Sequence, residues 1–379
     1  MSTTFDRVLK FGGAALSDGA SVRRVVRLVP GRAERPVLVA SAHRGVTRAL
    51  GVAWESARRG LVRWDEVRIR HRSLVSELGL DGQVIESLLR ELGTVVSAFA
   101  ERGVTDEAKA RDLILSFGER LSARIVAAAF RDAGVEAFAA DAFELGLEVG
   151  ADGLPTAACT ERVRAALERE PGIPIVTGFL ARGPAGHLAT LGADGSDLSA
   201  VWLGNTLGAR RVEFFKTVPG WLTVDPAHHP DGRTIEELPL KLARTLSRHG
   251  PCILQARALD LAGRTELVVV DVRDASIETR IVNRAGKPGA PIGLAVQLGK
   301  GHQVITIVGT QLGGDRDHAE RWVERVGTTH WLGVESELHA LTVRVANAHS
   351  GQVIDRWHRA LVDAEEAASP CRASQLEIH

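Results

Sequence analysis

The chain has 379 residues, and its 47 Lys and Arg residues balance its 47 Asp and Glu residues to give a formal net charge of zero. This balance argues against a strongly basic protein that binds nucleic acid or a membrane surface. The length is enough for two or three domains. The three cysteines are far apart and form no CxxC pair, so neither a disulfide framework nor a cysteine-ligated zinc site is expected.

The N-terminal segment MSTTFDRVLKF lacks the apolar stretch of a signal peptide. No run of about 18 apolar residues occurs anywhere in the sequence, so no membrane span is expected. We therefore expect a cytoplasmic protein.

Short apolar runs alternate with longer amphipathic patterns over roughly the first three quarters of the sequence. Strands are predicted over Arg7–Phe11, Val37–Ser41, Ile173–Phe179, Arg211–Phe215 and Leu267–Val272. Helices are predicted over Ala20–Val29, Val46–Arg59, Val62–Leu78, Gln83–Ala100, Asp106–Ala133, Asp197–Leu207 and Glu237–Arg248. Such alternation predicts an α/β fold whose mainly parallel sheet is covered by helices on both faces.

The pattern changes at the Gly- and Pro-rich segment NRAGKPGAP, which predicts a linker over residues 283–290. Beyond it we predict strands over Ile292–Leu298, Gln303–Thr310, His330–Glu335 and Leu341–Ala346, and helices over Arg316–Val326 and Gln352–Val362. This order predicts a small α+β module over residues 291–364. Residues 365–379 lack periodicity and are predicted to form a loose tail.

The first candidate site is the Lys10-Phe11-Gly12-Gly13 segment, which directly follows a predicted strand. Glycines at a strand-to-helix turn let phosphate oxygens approach backbone N–H groups, and Lys10 could add a charge on a transferring phosphoryl group. Taken alone, the segment favours a structural turn, with Ser17 or Asp18 capping the next helix. No Walker motif and no GxGxxG after a strand is present.

Two further segments place acids beside glycines. Glu119 follows Gly118 near the start of a predicted long helix, where it either lies in a cleft or complements the helix dipole. In the Gly195-Ser196-Asp197 segment, Ser196 or Asp197 either caps the following helix or belongs to a second anion-binding turn, with Asp197 orienting Lys10.

A fourth segment, Val218–Pro226, turns sharply twice and is either a ligand-free loop or a lip for a nucleotide base. The neighbouring pair His228-His229 is expected to be solvated. The histidines form no recognisable metal-binding array, so no metal site is predicted.

Together and in this order, these segments resemble the aspartate kinase branch of the amino-acid kinase family. The resemblance is collinear over nearly the whole chain. The segments that carry it are KFGGAA, VLVASAHRGVTRAL, LSFGERLSA at Leu115–Ala123, GFLARGPAGHLATLGADGSDLSA, KTVPGWLTVDPA and VVVDVRDASIETRI.

The resemblance implies a three-layer αβα amino-acid kinase domain over residues 1–282, followed by a C-terminal ACT-like regulatory module. Aspartate kinases usually carry two ACT modules, whereas residues 291–364 are enough for one. Because such a module can pair edge to edge with that of another subunit, a homodimer is expected.

The family's site roles transfer to matching positions. The resemblance implies ATP and Mg²⁺, with Lys10 stabilising the transferring phosphoryl group and Asp197 orienting the site. Thr47 and Glu119 match substrate-binding positions, and Glu119 matches the acid that contacts the substrate's ammonium group. The implied nucleotide- and phosphate-binding residues are Gly12, Gly13, Ser41, Gly195, Ser196, Lys216, Thr217 and Asp225.

The sequence departs from the family at several charged positions. The arginine that holds a substrate carboxylate is replaced by Ala193, for which Arg44, Arg120 or Arg182 could substitute. On the nucleotide side, Thr-Asp becomes Lys216-Thr217, and Lys216 is a possible replacement cation. An arginine becomes Ala227 and a lysine becomes Cys252.

Three hypotheses follow. The first is an aspartate kinase that converts ATP and L-aspartate to ADP and 4-phospho-L-aspartate. The second is a kinase for a different carboxylate, which the loss of the arginine at position 193 favours. The third is a non-catalytic regulatory homologue, which the loss of nucleotide-side cations favours.

Overall fold

A computed structural model describes residues 5–33, 35–156, 160–184, 186–250, 253–314, 320, 322–324 and 331–368. The chain forms two compact units, each built from two segments. The first unit combines residues up to Val218 with Leu261–Ser276, and the second combines Pro219–Asp260 with the residues from Ile277 onward. The predicted domain boundaries at 282 and 290 remain predictions.

The strands are β1 (Arg7–Phe11), β2 (Pro36–Ala40), β3 (Ala137–Ala140), β4 (Ile173–Thr177), β5 (Leu180–Arg182), β6 (Leu188–Thr190), β7 (Arg211–Lys216), β8 (Glu237–Pro239), β9 (Glu266–Asp271), β10 (Glu278–Val282), β11 (Pro291–Leu298), β12 (His302–Gly309), β13 (Trp331–Glu337) and β14 (Ala340–Ala346). The described helices are α1 (Gly19–Leu28), α2 (Val46–Ala57), α3 (Asp65–Leu78), α4 (Gln83–Arg102), α5 (Glu107–Asp132), α6 (Ala142–Leu145), α7 (Thr160–Leu167), α8 (Gly195–Leu207), α9 (Leu240–His249), α10 (Ala256–Asp260) and α11 (Asn347–Ala368). None of these described helices combines the length and the apolar character needed to cross a bilayer.

The first unit is built on parallel strands in the order β3-β4-β2-β1-β7-β9. On one face, Leu9 and Phe11 of β1 join a large buried core with α1, α2 and α5. Side chains alternate between the faces of a strand, so Lys10 points to the opposite face, where α8 packs against β1 and β7. Helices on both faces confirm the predicted αβα layers.

The second unit contains the parallel pair β8 and β10 and an antiparallel sheet in the order β11-β12-β14-β13. Helix α11 packs on this sheet through Trp357 and Leu361, which are both buried. Val224, from the segment before β8, joins the same core, and the amide of Leu294 donates to the carbonyl oxygen of Thr223 at 2.6 Å. The sheet and its helix fit the predicted ACT-like α+β module.

The structure corrects the predicted elements at several places. Residues Glu237–Pro239 form β8 rather than the first turn of a helix, and α9 begins after Pro239. The pattern analysis missed β3, β5, β6, β10, α6, α7 and α10. Helix α11 continues to Ala368, so the predicted tail does not begin at residue 365. Most of the predicted helix over Arg316–Val326 lies outside the described residues.

Glu213 is a charged residue in the interior of the first unit. It lies on β7 and is wholly buried. Its carboxylate accepts hydrogen bonds from Arg7 at 2.7 Å and from Arg32 at 2.8 Å, and a nitrogen of Arg211 lies 3.6 Å away. A buried charge is tolerated only when it is paired and hydrogen-bonded, and here three guanidinium groups from separate segments meet that requirement.

Replacing Glu213 with Gln should lower the free energy of unfolding by about 3 kcal/mol, because it removes the buried anion that the guanidinium groups of Arg7 and Arg32 bond. Urea unfolding at neutral pH measures the change. Glu266→Gln is the matched control, since Glu266 also pairs with Arg211, at 3.4 Å, but is 40% exposed. The control should change stability by less than about 0.5 kcal/mol, and equal losses in the two variants would contradict the account.

Candidate active site

Nine of the predicted site residues line one cleft of about 580 Å³ in the first unit. They share a position at or near the carboxyl ends of parallel strands, where α/β sheets commonly bind ligands. These residues are Lys10, Gly12, Gly13, Ser41, Thr47, Glu119, Gly195, Ser196 and Lys216. The cleft therefore unites motifs that are far apart in the sequence.

The turn after β1 requires glycine because another backbone segment approaches it closely. A Cβ atom on Gly13 would lie 2.6 Å from the carbonyl oxygen of Ala42. The amide of Arg44 donates to the carbonyl oxygen of Gly13 at 3.1 Å, which joins the turn to the segment after β2. The alternative that this segment is only a helix-capping turn is half right: Asp18 does cap α1, accepting from the amide of Ser21 at 2.8 Å, but the glycines also line the cleft.

The start of α8 forms a second wall of the cleft. The residue before the helix, Asp194, has a left-handed backbone with φ of 52° and makes no capping hydrogen bond with its side chain. A Cβ on Gly178, just after β4, would lie 2.6 Å from Cβ of Ser196, so glycine there allows α8 to approach the sheet. Ser196 and Asp197 lie within the first turn, and the alternative that either one caps the helix is wrong.

Asp197 joins the two lysines of the cleft. Its Oδ1 lies 2.7 Å from Nζ of Lys10, and its Oδ2 lies 3.2 Å from Nζ of Lys216. Lys10 comes from β1, Lys216 from the end of β7 and Asp197 from the first turn of α8. The carboxylate thus holds two ammonium groups together and leaves the triad with a net positive charge.

Burial and mutual attraction set the charges of this triad. Burial lowers the pKa of Lys10, and the neighbouring Asp197 carboxylate offsets the effect only in part. Burial also acts to raise the pKa of Asp197, but the ammonium groups of Lys10 and Lys216 more than compensate and hold it below its ordinary value. Asp197 is therefore an anion, and an incoming anion would favour the charged form of Lys10.

Glu119 is a buried acid that also lines the cleft. Its Oε1 accepts a hydrogen bond from the amide of Ala42 at 3.1 Å, while its Oε2 is buried and has no partner among the described residues. The preceding Gly118 allows this contact, because a Cβ there would lie 2.9 Å from Cβ of Ala42. Glu119 lies near the middle of α5, so the alternative that it complements the helix dipole at the helix start is wrong.

Desolvation dominates the ionisation of Glu119. Burial raises its pKa to about 8, against smaller lowering effects of its hydrogen bonds and of Lys10. The free protein therefore holds Glu119 mostly protonated at neutral pH. A cation bound beside it would draw off that proton, because an opposite charge favours the carboxylate.

Two of the three arginines proposed to replace the missing residue at position 193 are engaged elsewhere. Arg120 forms a bidentate pair with Glu91 at 3.0 and 3.1 Å. Arg182 donates to the carbonyl oxygens of Gly186 and Phe143, each at 3.3 Å. Arg44 lines the cleft, as does Ala193 itself.

The remaining nucleotide-side predictions do not gather in the cleft. Thr217 is exposed and is not among the lining residues. Asp225 lies in the second unit, where its Oδ1 accepts from the amide of Ala227 at 2.8 Å. Cys252 lies outside the described residues.

The loop that follows β7 is a hairpin-like segment of the second unit. An isolated bridge pairs Leu222 with Thr234, and Trp221 is buried. The expectation that His229 is solvated is wrong: its ring lies against that of His358 at a tilt of 39°, with centroids 4.6 Å apart, and its Nε2 lies 3.4 Å from an oxygen of Asp355. The Oγ1 of Thr223 lies 3.0 Å from Nε2 of His358.

Sequence reasoning missed a pair of buried histidines, of which His43 lines the cleft. His43 and His71 meet edge to face with ring centroids 5.7 Å apart, and each Nδ1 lies 2.7 Å from a backbone carbonyl oxygen. Burial lowers the pKa of His43 to about 3 and that of His71 to about 4. Nothing local in the sequence marked this contact, because the two residues come from a loop and a helix that meet only in the fold.

The histidine pair makes stability depend on pH. Both folded pKa values lie below the unfolded value of about 6.5, so each histidine contributes stability above that value and loses it as the pH falls. From pH 8 to pH 5 the loss is about 2 kcal/mol for each residue. The native chain should lose more unfolding free energy than His71→Leu when the pH falls from 8 to 5, and the difference should be about 2 kcal/mol. Urea unfolding of both proteins at both pH values measures it. An unchanged difference would contradict this assignment.

Comparison with known proteins identifies the family. Residues 7–271 match the profile of the amino acid kinase family. The chain belongs to this family. The match runs from β1 to β9 and includes every residue that lines the cleft.

Curated relatives of this family member are aspartokinases, which confirms the predicted branch. The chain is 32% identical to aspartokinase 1, chloroplastic, of Arabidopsis thaliana over 279 residues, which are 69% of this chain and 49% of that protein. It is 26% identical to lysine-sensitive aspartokinase 3 of Escherichia coli K12 over 314 residues, which are 79% and 69% of the two chains. The chain thus spans about half the length of the plant relative.

Solved structures support the fold. Aspartokinase III of E. coli in complex with lysine and aspartate superposes with a TM-score of 0.78 and 21% identity, covering 94% of this chain and 99% of that chain. At this identity the likeness concerns the fold alone. It extends over both units of the amino acid kinase family member described above.

Proposed function

We propose that the chain is a phosphotransferase that moves the γ-phosphoryl group of ATP to a carboxylate, and that its acceptor is the side-chain carboxylate of L-aspartate. The observation that carries this proposal is the presence of two charge environments in one cleft. The two lysines of the cationic triad Lys10, Asp197 and Lys216 line it, and so does the buried acid Glu119.

The cationic triad suits the phosphates of a nucleotide. Lys10, Lys216 and the backbone of Gly12 and Gly13 would hold the phosphate oxygens, and the start of α8 at Gly195 adds the positive end of a helix dipole. In the described residues no group of three or more His, Cys, Asp or Glu side chains forms a metal site. Mg²⁺ would therefore arrive with ATP, where it neutralises charge on the phosphates.

The buried acid Glu119 suits an amino-acid acceptor. An ammonium group beside Glu119 would take the place of its proton and leave an acceptor carboxylate directed toward Lys10. The acceptor carboxylate oxygen attacks the γ-phosphorus, the bond to ADP breaks, and an acyl phosphate forms. Because the nucleophile is already an anion, no general base is needed, and catalysis comes from positioning and electrostatics.

A kinase for a different acidic acceptor is the second candidate, and Ala193 is the observation that favours it. A methyl group lines the cleft where the resemblance implies an arginine. The acceptor's second carboxylate, if it has one, must then be bound by another group or not at all.

Hydroxamate formation tests both candidates. The purified chain is incubated with ATP, Mg²⁺, hydroxylamine and L-aspartate, and hydroxylamine traps the acyl phosphate. A signal that requires ATP and L-aspartate supports the first candidate. A signal with another acid of a panel, such as L-glutamate, but none with L-aspartate supports the second. No signal with any acid would contradict a carboxylate kinase.

A further inference from the structure

Two arginines at the edge of the cleft are available for a ligand. Arg44 and Arg111 both line it and are exposed. Within the described part of the chain, no hydrogen bond or ion pair engages either guanidinium group. By contrast, Arg120 and Arg182 are engaged as described above. The cleft therefore has more positive charge at its edge than the sequence comparison indicated.

Arg111 lies on the same face of α5 as the buried acid. Arg111, Leu115 and Glu119 follow one another at four-residue spacing, and all three line the cleft. At 1.5 Å per residue, the Cα atoms of Arg111 and Glu119 are about 12 Å apart. Helix α5 thus presents Glu119 and Arg111 on either side of Leu115. An acid and a guanidinium group in this arrangement can bind the ammonium group and a carboxylate of one small zwitterion.

The residue next to Arg111 fixes this end of α5 against the loop that contains Ala193. Asp112 accepts from the hydroxyl of Thr190 at 2.9 Å and from its amide at 3.1 Å. Thr190 ends β6 and leads directly into the segment with Ala193. Asp112, the neighbour of Arg111, therefore joins α5 to the strand that leads into Ala193, and Arg111 and Ala193 both line the cleft.

Arg44 lies beside the turn after β1. Its amide donates to the carbonyl oxygen of Gly13 at 3.1 Å, and its Cα lies 3.5 Å from where a Cβ of Gly13 would be. Its charge therefore accompanies this turn, and Arg44 comes from the segment after β2 rather than from α5. Of the two free guanidinium groups, only that of Arg111 shares a helix face with the acid.

We propose that Arg111 binds the α-carboxylate of the amino-acid acceptor, the carboxylate that is not phosphorylated. The proposal rests on the function proposed above and makes Arg111 the specificity-determining residue for an acceptor that carries two carboxylates. A planar guanidinium can bind a carboxylate through two parallel hydrogen bonds, which a lysine cannot reproduce.

Binding of two ligands that differ by this one carboxylate tests the proposal. L-Aspartate and β-alanine share an ammonium group and a distal carboxylate, but β-alanine lacks the α-carboxylate. Calorimetric titration of the full chain should show that Arg111→Ala weakens L-aspartate at least tenfold and changes β-alanine less than twofold. Arg111→Lys should fall between the native chain and Arg111→Ala for L-aspartate.

Two further variants serve as controls. Arg120→Ala, on the same helix but paired with Glu91, should leave both ligands unchanged. Arg44→Ala should leave the L-aspartate affinity unchanged and raise KM for ATP in the hydroxamate assay.

Several results would overturn the assignment. These are an Arg111→Ala variant that binds L-aspartate like the native chain, one that loses both ligands equally, or an Arg44→Ala variant that selectively loses L-aspartate. If the native chain turns over L-aspartate but Arg111→Ala keeps its affinity, only the role of Arg111 fails. If the native chain neither binds nor phosphorylates L-aspartate, the proposed acceptor fails, and the role of Arg111 fails with it.

Discussion

Glu119→Gln should make the free protein more stable at neutral pH, by about 3 kcal/mol at pH 7. The pKa of Glu119 is about 8 in the folded chain, above its unfolded value of about 4.3. The protonated acid therefore makes its full contribution to stability when the pH is below the unfolded pKa. As the pH rises from there toward 8, Glu119 progressively destabilises the fold. Glutamine has the shape of the protonated acid and can still accept from the amide of Ala42. The gain should fall to less than about 1 kcal/mol at pH 5, and urea unfolding at both pH values measures it.

The same variant, Glu119→Gln, should bind the acceptor more weakly. A charged hydrogen bond contributes about 1.5–3 kcal/mol, so KM for L-aspartate should rise at least tenfold. In the native chain kcat/KM for L-aspartate should increase about tenfold per pH unit from pH 6 toward pH 8, because only the ionised Glu119 binds an ammonium group. This slope should disappear in Glu119→Gln. A variant that is less stable at pH 7, or that keeps the pH slope, would contradict the role of Glu119.

Lys10→Met should lower kcat by about 10²–10³-fold, because it removes a positioned charge from the transferring phosphoryl group. The variant also leaves the buried Asp197 with Lys216 as its remaining cation. Loss of one partner of a buried ion pair typically costs about 3 kcal/mol, so the free energy of unfolding should fall as well. Hydroxamate kinetics and urea unfolding measure the two effects.

The double variant Lys10→Met/Asp197→Asn separates catalysis from folding. It removes both members of the 2.7 Å pair, so most of the lost stability should return while activity stays low. If activity returned together with stability, Lys10 would have only a structural role. If Lys10→Met alone kept its full kcat, the phosphoryl-transfer assignment would be wrong.

Where hydrophobic spacing was regular, the sequence predicted the elements closely. The predicted strand Arg7–Phe11 has the observed bounds, and α4 extends the predicted helix by only two residues. The failures have local physical causes. Strand β3 is the short, alanine-rich sequence AFAA, which carries no clear period. The predicted helix over Glu237–Arg248 crossed Pro239, which cannot occupy a helix interior because it lacks an amide proton.

The candidate site divides in the same way. Lys10, Glu119 and Asp197 were identifiable because each lies in a motif with glycines that the close backbone contacts require. Arg111 and His43 carried no such signal, since their importance depends on which side chains the fold brings together around the cleft. A sequence pattern cannot predict contacts between side chains that only the tertiary fold brings together.

The link between Thr223 and the C-terminal module has a consequence for dissecting the protein. A truncation after Val282, at the linker that the sequence suggests, would remove Leu294 and His358, which bond the backbone and the side chain of Thr223. Val224 would lose the core in which it is buried. The segment Pro219–Asp260 therefore packs with residues that lie beyond the linker in the sequence. The C-terminal module supports this segment and cannot be removed without exposing it.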